Sequence, residues 1–416
     1  MKEKNIPNEM DVVIIGAGPA GSSAASLLRK ANYSHCVIEK ESFPRFIIGE
    51  SLLAYSMDLL EEAGFLQVVH DRNYLVKKGG VFHDNGKYCF FDFSEQFTKG
   101  WKYTYQVPRA DFDKTLANKA EDLGSPFFYN HTVQKVDVSE NTSVTIKTDD
   151  GKTCEIRCKF IIDASGYGRV LPTLLDLETP SYLPERVSIF SHVEDPNRPV
   201  EPEQEGSTWI CTTPESWVWV IPFSDGITSV GIVGKPDYID TLSGTNEEKI
   251  EQVMHMDSHL KERFTELKYK FKPEIIRGYS KSIKKFYGDN FCLVGNTTEF
   301  LDPVFSSGVT LALATSNIAT KLVIKKLSGE EVNWEKEYVG PVLEGVNVFK
   351  TFIDAWYDGT FQDVAFFDNP NKSFKKQITS VLAGYVWDKK NPFVTKSQKA
   401  LSALHNYVLK NRSDGI

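Results

Sequence analysis

Residues 11–28, Asp-Val-Val-Ile-Ile-Gly-Ala-Gly-Pro-Ala-Gly-Ser-Ser-Ala-Ala-Ser-Leu-Leu, decide the fold. An apolar run typical of a buried strand turns at glycines and enters an Ala- and Leu-rich segment typical of a helix. Gly16, Gly18 and Gly21 have the GxGxxG spacing, which permits a tight turn, close approach of backbone to a pyrophosphate and close packing of helix on strand. The helix N-terminus, which includes Ala20, then faces the phosphates. The alternative is a glycine-rich turn in some other strand-helix-strand unit.

An acidic residue after the next strand supports dinucleotide binding. The segment Cys36-Val-Ile-Glu39 is typical of a strand, and Glu39 stands 23 positions after Gly16. A carboxylate at this place accepts hydrogen bonds from ribose hydroxyls. We therefore assign Glu39 and its neighbour Lys40 to a cofactor site.

Two later strands also end in turns of small residues. They are Phe160-Ile-Ile-Asp-Ala-Ser-Gly166, which contains Asp163, and Phe291-Cys-Leu-Val-Gly-Asn296. A loop with Asp302-Pro303 and Ser306-Ser-Gly308 follows, and then a helix rich in small residues. Helix N-termini and exposed backbone amides of this kind bind anions or a polarised carbonyl. A single nicotinamide-binding fold would not need parts so far apart.

Together these residues resemble the FAD-dependent monooxygenase superfamily with the p-hydroxybenzoate hydroxylase type of fold, over roughly residues 8–340. The resemblance implies an α/β fold: a Rossmann-like FAD-binding domain, an inserted β-sheet substrate domain and a C-terminal helical region. It also implies that the first glycines hold the ADP part of FAD and that Arg109 contacts the cofactor. The ribityl chain and flavin ring would be held by Gly295, Asn296, Asp302 and Pro303. Asn296 stands where the family usually has aspartate, but an amide oxygen also accepts a hydrogen bond from a sugar hydroxyl.

The resemblance sets the domain boundaries that we expect. The FAD-binding domain takes residues 1–75, 105–182 and 285–340, the substrate domain 76–104 and 183–284, and the helical region 341–416. Several aromatic residues of the helical region either cap a substrate pocket or belong to the core: Trp356, Tyr357, Phe361, Phe366 and Phe367.

Four further stretches resemble the flavin-dependent halogenase branch of that superfamily. They are Pro44-Arg-Phe-Ile-Ile-Gly-Glu-Ser-Leu52, Lys77-Lys-Gly-Gly-Val-Phe82, Trp217-Val-Trp-Val-Ile-Pro222 and Asp302-Pro-Val-Phe-Ser-Ser-Gly308. The third matches the WxWxIP pattern of the branch at every fixed position. The resemblance implies that reduced flavin and oxygen form a hydroperoxide, which oxidises chloride or bromide to hypohalous acid. That acid would halogenate an electron-rich aromatic substrate, free or tethered to a carrier.

A lysine near the substrate is the catalytic group that the resemblance implies, and the KxGxxF-like segment indicates Lys77. Desolvation lowers the pKa of a lysine, which favours hydrogen bonding to hypohalous acid or haloamine formation. Lys78 would face the opposite way in a strand, and the alternative is that both are surface charges. Glu50 and Ser51 would lie in the loop that covers the flavin, with a helix N-cap at Ser51 as the competing explanation.

The halide site that the resemblance implies falls on Ser307 and Gly308, because backbone amides at a Ser-Gly turn bind anions. The alternative is that this turn only holds the flavin ring.

Two tryptophans alternate with valines in residues 217–220. In an extended chain Trp217 and Trp219 lie on one face, with Val218 and Val220 on the other. The indoles are either core, or a wall that keeps the organic substrate from the flavin while a small oxidant passes.

Composition and charge disfavour several partner classes. The 416 residues include 48 lysines and arginines against 56 acidic residues, a net charge of -8, which argues against nucleic acid or a stable membrane association. The six cysteines have no CxxC spacing, so the sequence suggests neither a metal site nor disulfides. It predicts instead a reducing, cytoplasmic location.

The chain shows no second glycine fingerprint for a nicotinamide cofactor, which suits a separate flavin reductase. The alternatives to a halogenase are a related hydroxylase, a dehydrogenase or reductase of the same fold, and a non-catalytic flavin-binding protein.

Overall fold

The computed structural model describes residues 5–181, 183–199, 205–299, 301–367 and 371–413. No helix in these ranges combines the length and the apolar character needed to cross a bilayer. All six cysteines are free thiols, and five of them are buried.

One seven-stranded sheet carries the glycine-rich turn. Its strands lie in the order Phe127–Phe128, His35–Ile38, Glu9–Ile15, Thr153–Asp163, Ser143–Lys147 and Thr132–Asp137, with Phe291–Leu293 also paired to Thr153–Asp163. Three of these strands are parallel and end in register, since Ile15 pairs with Asp163 and Asp163 with Leu293. The turns that follow them therefore meet at one edge, where open parallel sheets bind ligands.

The second seven-stranded sheet is mostly antiparallel. Its order is Glu274–Arg277, Val187–Glu194, Ile227–Gly234, Ser216–Pro222, Thr208–Thr212, Gly79–Asp84 and Lys87–Asp92. The pair Thr208–Thr212 and Gly79–Asp84 is parallel. Two small sheets join Leu75–Lys77 to Thr104–Gln106 and Glu178–Pro180 to Lys281–Ile283.

The strand Ser216–Pro222 separates two apolar cores. Trp217 and Trp219 belong to the large core that also contains the apolar residues of the first sheet. Val218 and Val220 belong to a smaller core on the other face, closed by the helices Asn246–Met254 and Ser258–Arg263. The predicted alternation of faces is confirmed.

Small residues let the two long helices beside the first sheet approach closely. Pro19–Lys30 packs against Gly308–Leu327, and Ser316 Oγ donates to the carbonyl of Ala20 at 2.6 Å. The other helices outside the C-terminal region are Tyr55–Ala63, Leu66–His70, Arg109–Asp122, Val170–Leu174 and Pro236–Thr241. Single turns occur at Phe93–Glu95, Gly166–Gly168, Gly295–Thr297, Pro303–Phe305 and Glu335–Val339.

The C-terminal region is helical, as predicted. It comprises Gly340–Tyr357, Thr360–Ala365, Lys372–Leu382, Pro392–Thr395 and Ser397–Ser413. Trp356 and Phe361 pack against Phe82 at ring-centroid distances of 5.5 and 5.1 Å, so these two side chains are core. Phe366 and Phe367 are partly buried beside the same core. The predicted fold class is confirmed, and the domain boundaries stay predictions.

Candidate cofactor and active site

A cavity of about 380 Å³ lies where the turns after the three parallel strands meet. Most of the predicted site residues line it: Gly16, Gly18, Ala20, Glu39, Lys40, Glu50, Ser51, Arg109, Trp217, Trp219, Gly295, Asn296, Pro303 and Gly308. Gly21, Lys77, Asp163, Asp302 and Ser307 do not line it. The structure thus brings together residues from both sheets around one cavity.

The glycine-rich turn forms a cradle that larger residues would fill. A Cβ on Gly21 would lie 1.9 Å from the carbonyl oxygen of Gly16. Gly16 has φ +98°, and a Cβ there would lie 2.6 Å from the carbonyl oxygen of Ala164. Glu39 braces the turn, because its Oε2 accepts from the N–H of Ala17 at 2.8 Å. The close packing of helix on strand that the GxGxxG spacing predicts is present.

Arg45 is a cavity residue to which the sequence analysis gave no role. Its side chain is 9% exposed and lies 3.5 Å from the carboxylates of Glu39 and Asp113. Its Nε and Nη1 have no hydrogen-bond partner among the described residues. Buried donors without partners are costly, and phosphate oxygens above the glycine turn would satisfy them. The cradle and this guanidinium fit the diphosphate of FAD. The sequence signal that could have indicated Arg45 is its position in the stretch 44–52, which resembles the halogenase branch.

Arg109 holds the loop that precedes Ser51. Its Nε and Nη2 donate to the two carboxylate oxygens of Asp113 at 2.7 and 2.9 Å. Its Nη1 donates to the carbonyls of Ile48 and Gly49 at 3.2 and 3.3 Å. Arg109 therefore fixes the loop at residues 48 and 49 beside the cavity, and its predicted cofactor contact stays a prediction.

Asp163 organises a turn and does not line the cavity. Its carboxylate oxygens accept from the N–H groups of Ser165 and Leu171 at 2.9 and 2.7 Å. Burial raises the pKa of Asp163. With both oxygens accepting from backbone, Asp163 positions the loop that holds Ser165, and its predicted cofactor contact stays a prediction.

The later turn supplies Gly295 and Asn296. Gly295 has φ +62° and donates its N–H to Thr315 Oγ1 at 2.8 Å. The backbone carbonyl of Asn296 accepts from Arg169 at 2.9 Å, so its side-chain amide is the group left to contact a ligand in the cavity.

Asp302 lies behind the cavity wall. Its Oδ2 accepts from the hydroxyl of Tyr357 at 2.7 Å, and its Oδ1 accepts from the N–H of Val304 at 3.2 Å. Burial raises the pKa of Asp302 to about 6. Asp302 therefore supports the turn at Pro303, which lines the cavity, and its predicted contact with the flavin stays a prediction.

Ser307 and Gly308, which form one turn, differ in their exposure to the cavity. Ser307 is buried outside the lining, whereas Gly308 is exposed to the cavity at the first turn of a 20-residue helix. Of the two predicted halide residues, only Gly308 lines the cavity, and the halide site stays a prediction.

The two indoles form a continuous part of the wall. Trp217 and Trp219 are 2% and 5% exposed, and their rings are 6.0 Å apart. Trp219 lies against Gly231, where a Cβ would be 2.2 Å from the ring. Its Nε1 donates to Ser229 Oγ at 3.1 Å. The rings are thus both packed and cavity-lining, and their role as a wall between substrate and flavin stays a prediction.

Lys77 is buried beside the cavity. Its Nζ donates to Ser51 Oγ at 2.7 Å and to the carbonyl of Leu52 at 2.9 Å. It lies 5.6 Å from the centre of the Phe93 ring. Burial lowers the pKa of Lys77 to about 7. Lys78 is exposed, so the predicted opposite orientation of the two lysines is confirmed.

Glu50 is held by a histidine from the second sheet that the sequence analysis missed. His192 Nε2 lies 2.9 and 3.1 Å from the two carboxylate oxygens of Glu50. The ring of Phe46 packs edge-on against His192 at 5.4 Å. This contact fastens the loop 46–50 to the strand Val187–Glu194.

A second polar cluster lies on the other face of the second sheet. His83 Nδ1 is 2.6 Å from Asp257 Oδ2, and Cys211 is close to both. His83 Nε2 accepts from the N–H of Gly86 at 3.3 Å, and Asp257 Oδ1 accepts from the N–H of Leu260 at 3.0 Å. These bonds account for the pair as a structural contact between the sheet and the helix Ser258–Arg263.

Comparisons with known proteins show which proteins the chain is similar to. The family model for the FAD binding domain matches residues 9–334. A solved flavoprotein/dehydrogenase of Cytophaga hutchinsonii is 45% identical, with a TM-score of 0.94, 97% of this chain covered and 100% of that one. The flavin-dependent brominase Bmp2 is 25% identical, with a TM-score of 0.83 and coverage of 98% and 100%. The 1H-pyrrole-2-carbonyl-[peptidyl-carrier protein] chlorinase of Pseudomonas fluorescens is 29% identical over 95% of this chain and 94% of its own.

Proposed function

The chain belongs to the FAD-binding domain family, and on that premise we propose that it is a flavin-dependent halogenase of electron-rich aromatic rings. Its relatives include proteins named as a flavin-dependent halogenase, a flavin-dependent brominase and a chlorinase. We place the activity in the cytoplasm, where free cysteines stay reduced.

The position of the two indoles carries the proposal. Trp217 and Trp219 line the same cavity as the glycine cradle and Arg45. Flat side chains of this size cover a large area of the wall and obstruct an organic ring. A wall of this kind favours transfer of a small oxidant over direct oxygenation of the substrate.

Other residues of the chain hold the reactants. FAD, when bound and reduced, supplies with oxygen the oxidising power that converts a halide into an electrophilic halogen. The N–H of Gly308 stands at the N-terminus of the helix Gly308–Leu327, where the helix dipole favours an anion such as chloride or bromide. Arg109 and Glu50 keep the covering loop in place through Asp113 and His192.

Lys77 provides an ammonium group that loses its proton near neutral pH. Its pKa of about 7 means that both protonation states are populated at working pH, which suits a group that exchanges protons during catalysis. Because Lys77 contacts Ser51 and does not line the cavity, we assign it an indirect action through that hydroxyl.

The substrate class that we propose is a pyrrole or phenol ring, free or tethered to a carrier protein. The relative from Pseudomonas fluorescens is named for a pyrrole-2-carbonyl group on a peptidyl carrier protein, and it matches nearly the whole chain. A separate reductase would supply the reduced flavin.

Two observations favour a second candidate, an FAD-dependent hydroxylase or dehydrogenase. Lys77 Nζ is enclosed by Ser51, Leu52 and Phe93, and the protein 45% identical to this chain is named a flavoprotein/dehydrogenase. An enzyme of this second kind would need no lysine in contact with the substrate.

A reductase-coupled assay separates the candidates. The protein is incubated with FAD, an independent flavin reductase, NADH, bromide and a panel of free and carrier-tethered pyrroles and phenols. The isotope pattern of the products is read by mass spectrometry. Brominated product supports the proposal, and oxygenated or dehydrogenated product from FAD-loaded protein contradicts it.

The indole wall has its own test in the same assay. Replacement of both Trp217 and Trp219 by leucine should admit the substrate to the flavin and raise the share of hydroxylated product. The matched control is Trp334→Leu, since Trp334 packs between Phe160 and Tyr287 and lies outside the cavity lining. Unchanged product chemistry in the double variant would mean that the indoles serve only as packing.

A further inference from the structure

A chain of hydrogen bonds connects the buried ammonium group of Lys77 to the cavity. Lys77 Nζ donates to Ser51 Oγ at 2.7 Å. Ser51 Oγ lies 2.7 Å from Thr208 Oγ1. Ser51 and Thr208 both line the cavity, whereas Lys77 does not. Two hydroxyl groups therefore bridge the ammonium group and the space where a ligand binds.

The inventory of donors and acceptors leaves one hydroxyl hydrogen for the cavity. A hydroxyl has one hydrogen to donate and two lone pairs, and a charged Lys77 can only donate to Ser51. If Ser51 donates to Thr208, the hydrogen of Thr208 finds no acceptor among the described residues. If Thr208 donates to Ser51, the hydrogen of Ser51 is the one left over. Since both residues line the cavity, either arrangement presents a donor to an oxygen bound there.

The network is built in advance of binding. Gln106 Nε2 donates to Thr208 Oγ1 and to the carbonyl of Gly206, both at 2.8 Å. Ser51 and Gln106 are also joined by a backbone bridge between their segments. Lys77, Ser51, Gln106 and Thr208 are all buried, so their rotamers are held by packing and by these bonds.

We propose that Ser51 and Thr208 relay protons between Lys77 and a basic oxygen atom in the cavity, with Gln106 as the positioning residue for Thr208. This inference deepens the proposed function and rests on it for its role in catalysis.

The relay is a proton transfer without redox change. Lys77 gives one proton to Ser51, Ser51 gives its own to Thr208, and Thr208 gives its own to the oxygen. Lys77 ends neutral, the oxygen ends protonated, and each hydroxyl regains the hydrogen that it gave away. Water in the cavity then gives a proton along the same path in reverse, which restores the ammonium group and leaves hydroxide. Burial, which lowers the pKa of Lys77 to about 7, makes its ammonium group a better proton donor than that of an ordinary lysine.

Hydrogen exchange at Lys77 tests the relay without any halogenation assay. The cofactor-free protein is labelled with ¹⁵N-lysine, the Lys77 resonance is assigned by its loss in Lys77→Met, and the exchange rate of the ammonium hydrogens with water is measured. We expect Thr208→Val, which keeps the shape of threonine, to slow exchange about tenfold or more. Thr208→Ser should restore it.

The matched control is Ser188→Ala. Ser188 lines the same cavity, and its hydroxyl is buried without a hydrogen-bond partner among the described residues. This variant should leave Lys77 exchange unchanged. Thermal unfolding of each variant shows whether it is folded, and the Thr208→Ser comparison carries the test if Thr208→Val is unstable.

The outcomes separate the relay from the proposed function. An exchange rate in folded Thr208→Val equal to that of the wild type overturns the relay, whatever the enzyme makes. Slower exchange in that variant, with rescue by serine, supports the relay even if no halogenated product forms. Where product does form, the pH profile of its rate should change in Thr208→Val and be restored in Thr208→Ser.

Discussion

Trp217 Nε1 donates to the hydroxyl of Tyr357 at 3.1 Å across 140 residues of sequence. The same hydroxyl donates to Asp302 Oδ2 at 2.7 Å. A strand of the second sheet, the last residue of the helix Gly340–Tyr357 and the Asp302-Pro303 turn are therefore joined through one oxygen atom. This is how the C-terminal helices reach the wall of the cavity.

Tyr357→Phe should destabilise the fold in a pH-dependent way. The substitution leaves the Trp217 N–H and the Asp302 carboxylate each short of a partner, at a cost of about 1–3 kcal/mol. The Tyr357 hydrogen bond lowers the pKa of Asp302 against the larger effect of burial, so its loss raises that pKa further. The cost should be larger at pH 8, where Asp302 is charged, than at pH 5. Urea unfolding at both pH values measures this difference in stability, and substitution of the exposed Tyr407 by phenylalanine is the control. An equal loss of unfolding free energy at pH 5 and pH 8 would contradict the prediction.

Lys77→Met should remove a pH-dependent penalty on folding. The folded pKa is about 7 and the ordinary value is 10.5, so the unfolded chain binds this proton more tightly. The penalty is fully present below pH 7 and disappears as the pH rises to about 10, a change of roughly 4–5 kcal/mol. The free energy of unfolding of wild type minus that of Lys77→Met should therefore rise over this range. Lys78→Met, at the exposed neighbour, should show no such rise.

Gly21→Ala should destabilise the protein even without cofactor. Alanine normally stabilises a helix by about 1 kcal/mol relative to glycine, but here the Cβ would lie 1.9 Å from a backbone oxygen. We expect a net loss of about 2–4 kcal/mol. Gly18→Ala is the control, because its Cβ would have no heavy atom nearer than 3.7 Å. Chemical denaturation of both variants measures their free energies of unfolding. Equal values for the two variants would refute the close packing of this turn.

Arg45→Gln should weaken FAD binding without unfolding the protein. Removal of a charge-assisted contact to phosphate costs about 1.5–3 kcal/mol, which corresponds to about a 10- to 100-fold higher Kd. The quenching of flavin fluorescence on titration measures this. Arg72→Gln, which removes a half-exposed ion pair with Asp111, should leave the Kd unchanged. An unaltered Kd in Arg45→Gln would place the phosphates elsewhere.

The fold was predictable because its signals are local and periodic. The GxGxxG spacing at residues 16–21 and the apolar runs that end at Ile15, Asp163 and Leu293 need no distant partner to be recognised. The alternation at residues 217–220 is equally local, since successive side chains of a strand must point to opposite faces. Once strands are parallel, their carboxyl ends share an edge, so the meeting of the three turns follows.

The tasks of individual polar residues were not predictable in the same way. Asp163 and Asp302 were assigned to the cofactor from the turns in which they stand, and the structure adds that both carboxylates accept from the protein's own donors. Arg45 and His192 are positioned by carboxylates far away in sequence, those of Asp113 and Glu50 respectively. A hydrogen bond depends on distances of a fraction of an ångström, which residue order does not encode.

The sequence by itself therefore determined the strand-turn-helix that cradles a dinucleotide, the two-faced tryptophan strand, and the opposite orientations of Lys77 and Lys78. Only the tertiary structure decided that Lys77 reaches the cavity through Ser51 and Thr208, and that Tyr357 ties Trp217 to Asp302. The physical reason is that spacing along the chain fixes which way a side chain points within its own element. The packing of two sheets and a helical region fixes which distant atoms it meets.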